Sequence, residues 1–180
     1  MGGAEISGSE CDVRKIFRSG LRQPDPLESM RDYFALGIFV LVVGAAALFG
    51  AQFEPGSWYA GLNKPPLTPP NWLFGPVWSL LYLGIAVAGW LVWRASPGRS
   101  GPLALWASQL LLNAIWSFLF FGLHLPGLAL LEIGVLLVIV VAAASVFFKL
   151  HPVAGGLFVP YAAWVGFATY LNAGLWYLNR

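Results

Sequence analysis

Residues 58–93 read WYAGLNKPPLTPPNWLFGPVWSLLYLGIAVAGWLVW, and the two halves of this stretch obey different physics. Pro65, Pro66, Pro69 and Pro70 each fix φ and remove a backbone donor, and each pushes the residue before it toward extended geometry. A stiff, non-helical loop over 54–71 is therefore expected. Residues 72–93 then carry no charge. At about 1.5 Å rise per residue, such a run spans roughly 33 Å as a helix, the thickness of a bilayer's hydrocarbon core. A loop dense in Trp and Pro thus sits on the end of a membrane helix.

The rest of the chain repeats the second half of that pattern. Apolar runs over 33–53, 102–123, 128–148 and 153–178 join 72–93 to give five spanning candidates. Of these runs only 128–148 carries a charge, Glu132, near its start. In lipid every backbone polar group must be satisfied within its own segment, so all five are expected to be helices. The expected fold class is an all-α membrane protein, a bundle of five transmembrane helices over 31–180. Pro76 falls early in the second helix, where its missing donor costs little. Pro160 lies well inside the fifth, where a kink is expected, its freed carbonyl facing the bundle interior.

Composition agrees with a lipid solvent. The chain of 180 residues is 58% hydrophobic and 10% charged, with a mean hydropathy of +0.72. A soluble domain carries roughly 25% charged residues. The formal charge of +2 forms no patch that suggests nucleic acid. Cys11 is the one cysteine, so no disulfide framework is read, and no metal site or cofactor motif stands out. Residues 1–30 are polar, with Arg14, Lys15, Arg18 and Arg22 clustered, and are expected to be a flexible extension. No cleavable signal peptide is expected.

Eight of the ten Lys and Arg residues lie before the first apolar run, Arg31 included, and on the links 94–101 and 149–152; the other two are Lys64 and Arg180. The positive-inside rule places the N-terminus in the cytoplasm, with loop 54–71 and the C-terminus on the opposite side.

Polar and aromatic groups inside a membrane need a protein, water or ligand partner. On the second helix Phe74, Trp78 and Tyr82 share a face at i, i+4, i+8; on the third, Asn113, Ser117 and Phe120 share one, with Gln109 a turn earlier. On the fifth, Tyr161, Trp164 and Ala168 do the same. Rings with a few hydrogen-bonding groups suit a flat, polycyclic ligand. Other readings compete at several positions. Asn113 and Gln109 can simply join helices. Trp58, Tyr59, Trp72, Trp93, Trp176 and Tyr177, at run ends, suit an interfacial belt. Glu132 suits the headgroup level or its own helix N-terminus. His124 and His151 are link residues, and no metal is expected there.

The loop sequence carries something more specific. Trp58-Tyr59, Leu62-Asn63-Lys64-Pro65 and Thr68-Pro69-Pro70 resemble the first loop of the tryptophan-rich sensory protein / translocator protein family, also called TspO/MBR or peripheral benzodiazepine receptor. The likeness continues through Gly75-Pro76-Val77-Trp78 and Leu81-Tyr82, then Gln109-Leu110, Leu112-Asn113, Trp116 and Phe120-Phe121-Gly122. It ends with Val159-Pro160-Tyr161, Trp164 and Ala168-Thr169-Tyr170-Leu171-Asn172. Residues 33–178 are covered.

The resemblance implies a five-helix bundle, usually a homodimer, with a pocket between the helices capped by the first loop. It implies binding of porphyrins such as protoporphyrin IX, of benzodiazepine- and isoquinoline-type drugs and, in animal members, of cholesterol. Carried over by position, the pocket takes Phe74, Trp78, Tyr82, Asn113, Ser117, Phe120, Trp164 and Ala168, with Trp58, Tyr59 and Pro69 as a lid. Ser117 departs from members that place an amide there. Leu175, Tyr177 and Arg180 satisfy a loose sterol pattern, placed differently from the animal proteins. The expected function is a membrane receptor or carrier for porphyrins. The alternative is an enzyme-like, light-dependent breakdown of bound protoporphyrin IX using Trp78 and Trp164. A small-solute channel would need a continuous polar lining, which the few amides do not supply.

Overall fold

The computed structural model describes residues 26–53 and 55–180. The expectation for residues 1–25 lies outside them. Five long helices are each long and apolar enough to cross a membrane: α1 (Pro26–Gly50), α2 (Phe74–Ala95), α3 (Ser100–Ser117), α4 (Pro126–Leu150) and α5 (Pro152–Leu178). The protein is a multi-pass, all-α integral membrane protein. Among the described residues there is no strand.

Helix ends differ from the apolar runs for local reasons. The first helix starts at Pro26, with Glu28 in its first turn, so 26–30 are helical rather than part of a flexible tail. Proline and an acid are both tolerated or favoured at a helix start. It ends at Gly50, and residues 51–53 turn away. The loop is not wholly non-helical. A single turn, Ser57–Ala60, precedes its prolines, and a 3₁₀ turn, Asn71–Leu73, comes after them and feeds α2. The prolines themselves, as expected, lie outside both.

The core is built by α2 to α5. Ile85, Ala88 and Val92 of α2 meet Trp106 and Leu110 of α3, Ile133, Leu136, Val140 and Phe147 of α4, and Phe158 and Val165 of α5. In lipid such contacts are driven by close packing and interhelical hydrogen bonds rather than by water. Gly89 shows how close the packing is. A Cβ there would run into the Trp106 indole, whose nitrogen donates to the Ile85 carbonyl at 2.9 Å. Of the core members on α1, Val43 is buried while most of its neighbours are exposed, so α1 is the loosest wall.

Two expectations about buried oddities are corrected. Pro160 stands on the exposed side of α5, and a Cβ on Gly156, the residue whose carbonyl it frees, would meet open space. That carbonyl therefore lies on the outer face, not the interior. Glu132 sits in the second turn of α4, and both its carboxylate oxygens are buried without a hydrogen-bond partner among the described residues. It lies beyond the first turn, where a helix dipole acts.

The loop is seated on α5. Asn63 N–H donates to Asn179 Oδ1 at 2.9 Å, and Asn179 Nδ2 donates back to the Asn63 carbonyl at 3.0 Å. Tyr170 Oη donates to the Pro66 carbonyl at 2.9 Å. Pro65 packs where a Cβ on Gly174 would stand, 2.6 Å from the proline ring. Three separate contacts thus fix residues 63–66 to the end of α5 and to Asn179 just beyond it.

Candidate functional site

Between the helices, under the loop, lies a cavity of about 480 Å³. Its size is within the range of small-molecule sites, roughly 300–1,000 Å³. From α2 come Phe74, Trp78 and Tyr82, half-buried and stacked one turn apart. From α3 and its extension come Asn113, Trp116, Ser117, Phe120 and Phe121; from α5 come Trp164, Ala168, Leu171, Asn172 and Leu175. Ala47, Gly50, Ala51 and Phe53 close the side toward α1, and Pro55, Tyr59 and Asn71 come from the loop.

Every wall residue expected on α2 and α3 is on this surface, as are Trp164 and Ala168. Tyr161 is not. It is 0% exposed and stands behind the wall, where its hydroxyl donates to Gln109 Oε1 at 2.9 Å and accepts from Asn113 Nδ2 at 3.3 Å. Asn113 Oδ1 in turn accepts from the Tyr82 hydroxyl at 3.1 Å. Gln109 Nε2 donates to the Trp106 carbonyl at 2.9 Å. One chain of side chains therefore runs from the cavity wall through α2, α3 and α5. Asn113 both joins helices and faces the cavity. With every member satisfied, such a buried network holds the wall in one arrangement.

The loop's part in the site is narrower than a lid of Trp58, Tyr59 and Pro69. Only Tyr59 of these lines the cavity. It is buried against Phe120 and Phe121, at ring distances of 6.4 and 5.7 Å, and burial pushes its phenol pKa up. Trp58 lies behind it, stacked on His124 at 4.2 Å and edge-on to Phe120 at 5.7 Å. It supports the wall through Phe120. Pro69 is half-buried and off the wall; Pro65 and Pro66 make the contacts to α5.

Several wall residues carry no mark in the sequence pattern. After Ser117 the backbone changes to a π-helical segment, Phe118–Gly122, with Leu123 N–H bonded to the Phe118 carbonyl at 2.8 Å. The wider turn shifts the helical phase of the residues beyond it. It brings Phe121 to the cavity beside Phe120 and Trp116, whose rings stack at 5.2 Å. Trp116 Nε1 donates to Asn172 Oδ1 at 3.0 Å, and Asn172 Nδ2 donates to the Pro126 carbonyl at 2.8 Å. Trp116 was within reach of sequence reasoning, being three residues from Asn113. The small residues of α1 offered no chemical signal at all.

The wall is aromatic and, among the described residues that line it, uncharged. Its amides and hydroxyls are mostly committed to one another. Trp78 and Trp164 differ, since neither indole N–H is hydrogen-bonded within the described protein. They can stack on a ring and donate to its edge.

The chain matches the model of the TspO/MBR family over residues 37–178. It is similar to the tryptophan-rich protein TspO of Archaeoglobus fulgidus, 40% identical over 141 residues that cover 78% of this chain and 92% of that protein. It is also similar to the translocator protein of Homo sapiens, 39% identical over 151 residues, covering 79% and 88%. With the tryptophan-rich sensory protein of Cereibacter sphaeroides it shares 39% over 141 residues, 78% and 89% of the two chains.

Proposed function

The chain belongs to the TspO/MBR family, and from that premise we propose that it is a membrane receptor or carrier that binds porphyrins and related flat hydrophobic ligands in the cavity between its helices. The observation that carries this reading is the composition of one continuous wall. Phe74, Trp78, Trp116, Phe120 and Trp164 surround a space of about 480 Å³ with Tyr82 and Asn113 at its floor. A planar macrocycle gains from ring stacking on several sides, each contact worth about 0.5–1.5 kcal/mol beyond area burial. The two uncommitted indole donors supply edge contacts. The wall offers no paired carboxylates and no nucleophile beside a base, which favours binding over turnover.

The test is a quenching titration in nanodiscs with protoporphyrin IX. Saturable, protein-dependent quenching with one site per chain supports the reading; a linear response equal to that of empty nanodiscs refutes it.

A second reading has its own supporting observation. Trp78 lies 5.3 Å from the Tyr82 ring, so an oxidisable pair stands at the wall. In this reading, light absorbed by bound protoporphyrin leads to its breakdown. Illumination of the complex distinguishes the two: a new product spectrum that requires both light and Trp78 favours chemistry, and unchanged porphyrin favours the receptor.

In the membrane we place the N-terminus in the cytoplasm and loop 54–71 outside, on the distribution of Lys and Arg. A homodimer is proposed on the family resemblance.

A further inference from the structure

The hydrogen bonds behind the cavity wall all run one way. Tyr82 Oη donates to Asn113 Oδ1 at 3.1 Å, and Asn113 Nδ2 donates to Tyr161 Oη at 3.3 Å. Tyr161 Oη donates to Gln109 Oε1 at 2.9 Å, and Gln109 Nε2 donates to the Trp106 carbonyl at 2.9 Å. That last partner is a backbone oxygen, which can only accept, so it fixes which end of the Gln109 amide faces Tyr161. The sense of every earlier bond follows, since a phenol has one hydrogen and an amide has one accepting end. Reversal would turn the Tyr161 hydrogen toward Asn113 and leave Gln109 Oε1 without a donor, on a residue that is 0% exposed. Orphaning a buried polar atom is costly.

The consequence appears at the cavity. Tyr82 and Asn113 line it, whereas Tyr161, Gln109 and Trp106 do not. Tyr82 has committed its one hydrogen to the chain, and among the described residues no group donates to its oxygen. It therefore shows the cavity lone pairs only. A Cβ on Gly50, which also lines the cavity, would stand 3.9 Å from Tyr82 Oη and 3.5 Å from Ser117 Oγ. The two oxygens thus face one place on the wall, and glycine leaves the approach to them open. Ser117 in turn directs its hydrogen to the Asn113 carbonyl at 3.4 Å. Elsewhere on the wall the indoles of Trp78 and Trp164 can only donate. Donors and acceptors are held apart.

Resting on the reading above that this cavity holds the ligand, we propose that its floor is a hydrogen-bond acceptor whose sense is set by Gln109, a positioning residue that does not line it. The ligand class it selects is a flat aromatic body with a neutral N–H or O–H on the edge that reaches Tyr82. A carbonyl on that edge meets lone pairs and gains nothing there.

The experiment uses three rings of nearly one shape: carbazole, which carries an N–H, fluorene, which carries a methylene, and fluorenone, which carries a carbonyl. Binding is read by equilibrium dialysis against nanodiscs, with empty nanodiscs subtracted and protoporphyrin IX run alongside. One such hydrogen bond changes affinity about fivefold. Carbazole should bind about fivefold more tightly than fluorene; equal affinity overturns the proposal. Gln109→Leu then removes the acceptor for Tyr161. The chain satisfies itself by reversing, so that Tyr82 receives from Asn113 and turns its hydrogen into the cavity. The carbazole-to-fluorenone affinity ratio should fall at least fivefold, a change that loosened packing would not produce. An unmoved ratio with binding intact overturns the proposal. Where Gln109→Leu does not fold, the double variant Tyr82→Phe with Asn113→Leu decides. It should bring the carbazole-to-fluorene ratio to about one, and a retained preference overturns the proposal. If protoporphyrin IX binds saturably and none of the three rings does, the proposal falls and the porphyrin reading stands. If protoporphyrin IX does not bind either, both fall.

Discussion

Tyr82 on α2 donates its hydroxyl hydrogen to the side-chain carbonyl of Asn113 on α3 at 3.1 Å, at the floor of the cavity. That bond is the visible end of a chain that continues to Tyr161 and Gln109. Its consequence is that the polarity of the floor and the packing of three helices cannot be changed separately.

Asn113→Leu should therefore destabilise the protein as well as alter the cavity. It strands the Tyr82 hydroxyl and removes a donor from Tyr161, and each unsatisfied buried group costs about 1–3 kcal/mol. A lowered thermal midpoint in detergent is expected. Tyr82→Phe with Asn113→Leu should cost less than the sum of the two single changes, because removing both partners leaves fewer groups unpaired.

The loop's anchorage predicts a kinetic phenotype. Gly174→Ala puts a methyl group into the Pro65 ring, and Asn179→Ala removes the reciprocal pair with Asn63. Both should raise hydrogen exchange and protease sensitivity over 61–70 and speed ligand release. Asn71→Ala, outside these clamps, should leave exchange over 61–70 unchanged. Unaltered exchange in both clamp variants would show that the loop is held by other contacts.

Much of this arrangement was legible from spacing. Run length alone located the five spans, because a helix in lipid has few alternatives. The faces Phe74–Trp78–Tyr82 and Asn113–Ser117–Phe120 came from helical periodicity, and both lie on one cavity. What spacing could not give was radial position. Tyr161 shares a face with Trp164 and Ala168, yet hydrogen bonds to Gln109 and Asn113 draw it behind the wall. Phe121 reaches the wall through the π-helical segment, which breaks the 3.6-residue period that placed the others. Gly50 and Ala51 contribute only space, which leaves no mark in a sequence.

Topology is open to a direct check. In a Cys11→Ser background, Gly61→Cys should react with a membrane-impermeant maleimide added outside intact cells, and Gly20→Cys should not. The reverse pattern would invert the bundle and place loop 54–71 on the cytoplasmic side.

Space beside Trp164 is the next variable. Ala168 lines the cavity one turn from that indole, so Ala168→Leu should fill part of the volume the macrocycle needs. Porphyrin affinity is expected to fall about tenfold or more, roughly the 1–3 kcal/mol that overpacking a fitted site costs. The thermal midpoint, measured without ligand, should change little or rise.

The central claim, that this cavity holds the ligand, is tested most directly by comparing three tryptophans in one assay. Trp78 and Trp164 line the cavity, whereas Trp93, near the far end of α2, does not. Quenching titrations with protoporphyrin IX in nanodiscs should show Trp78→Phe and Trp164→Phe each weakening binding by about 1 kcal/mol or more, the scale of an aromatic contact plus a hydrogen bond. Trp93→Phe should bind as the unaltered protein does. Equal affinity in all three variants would contradict the claim, because the deep tryptophans would then be packing alone and the ligand would lie elsewhere.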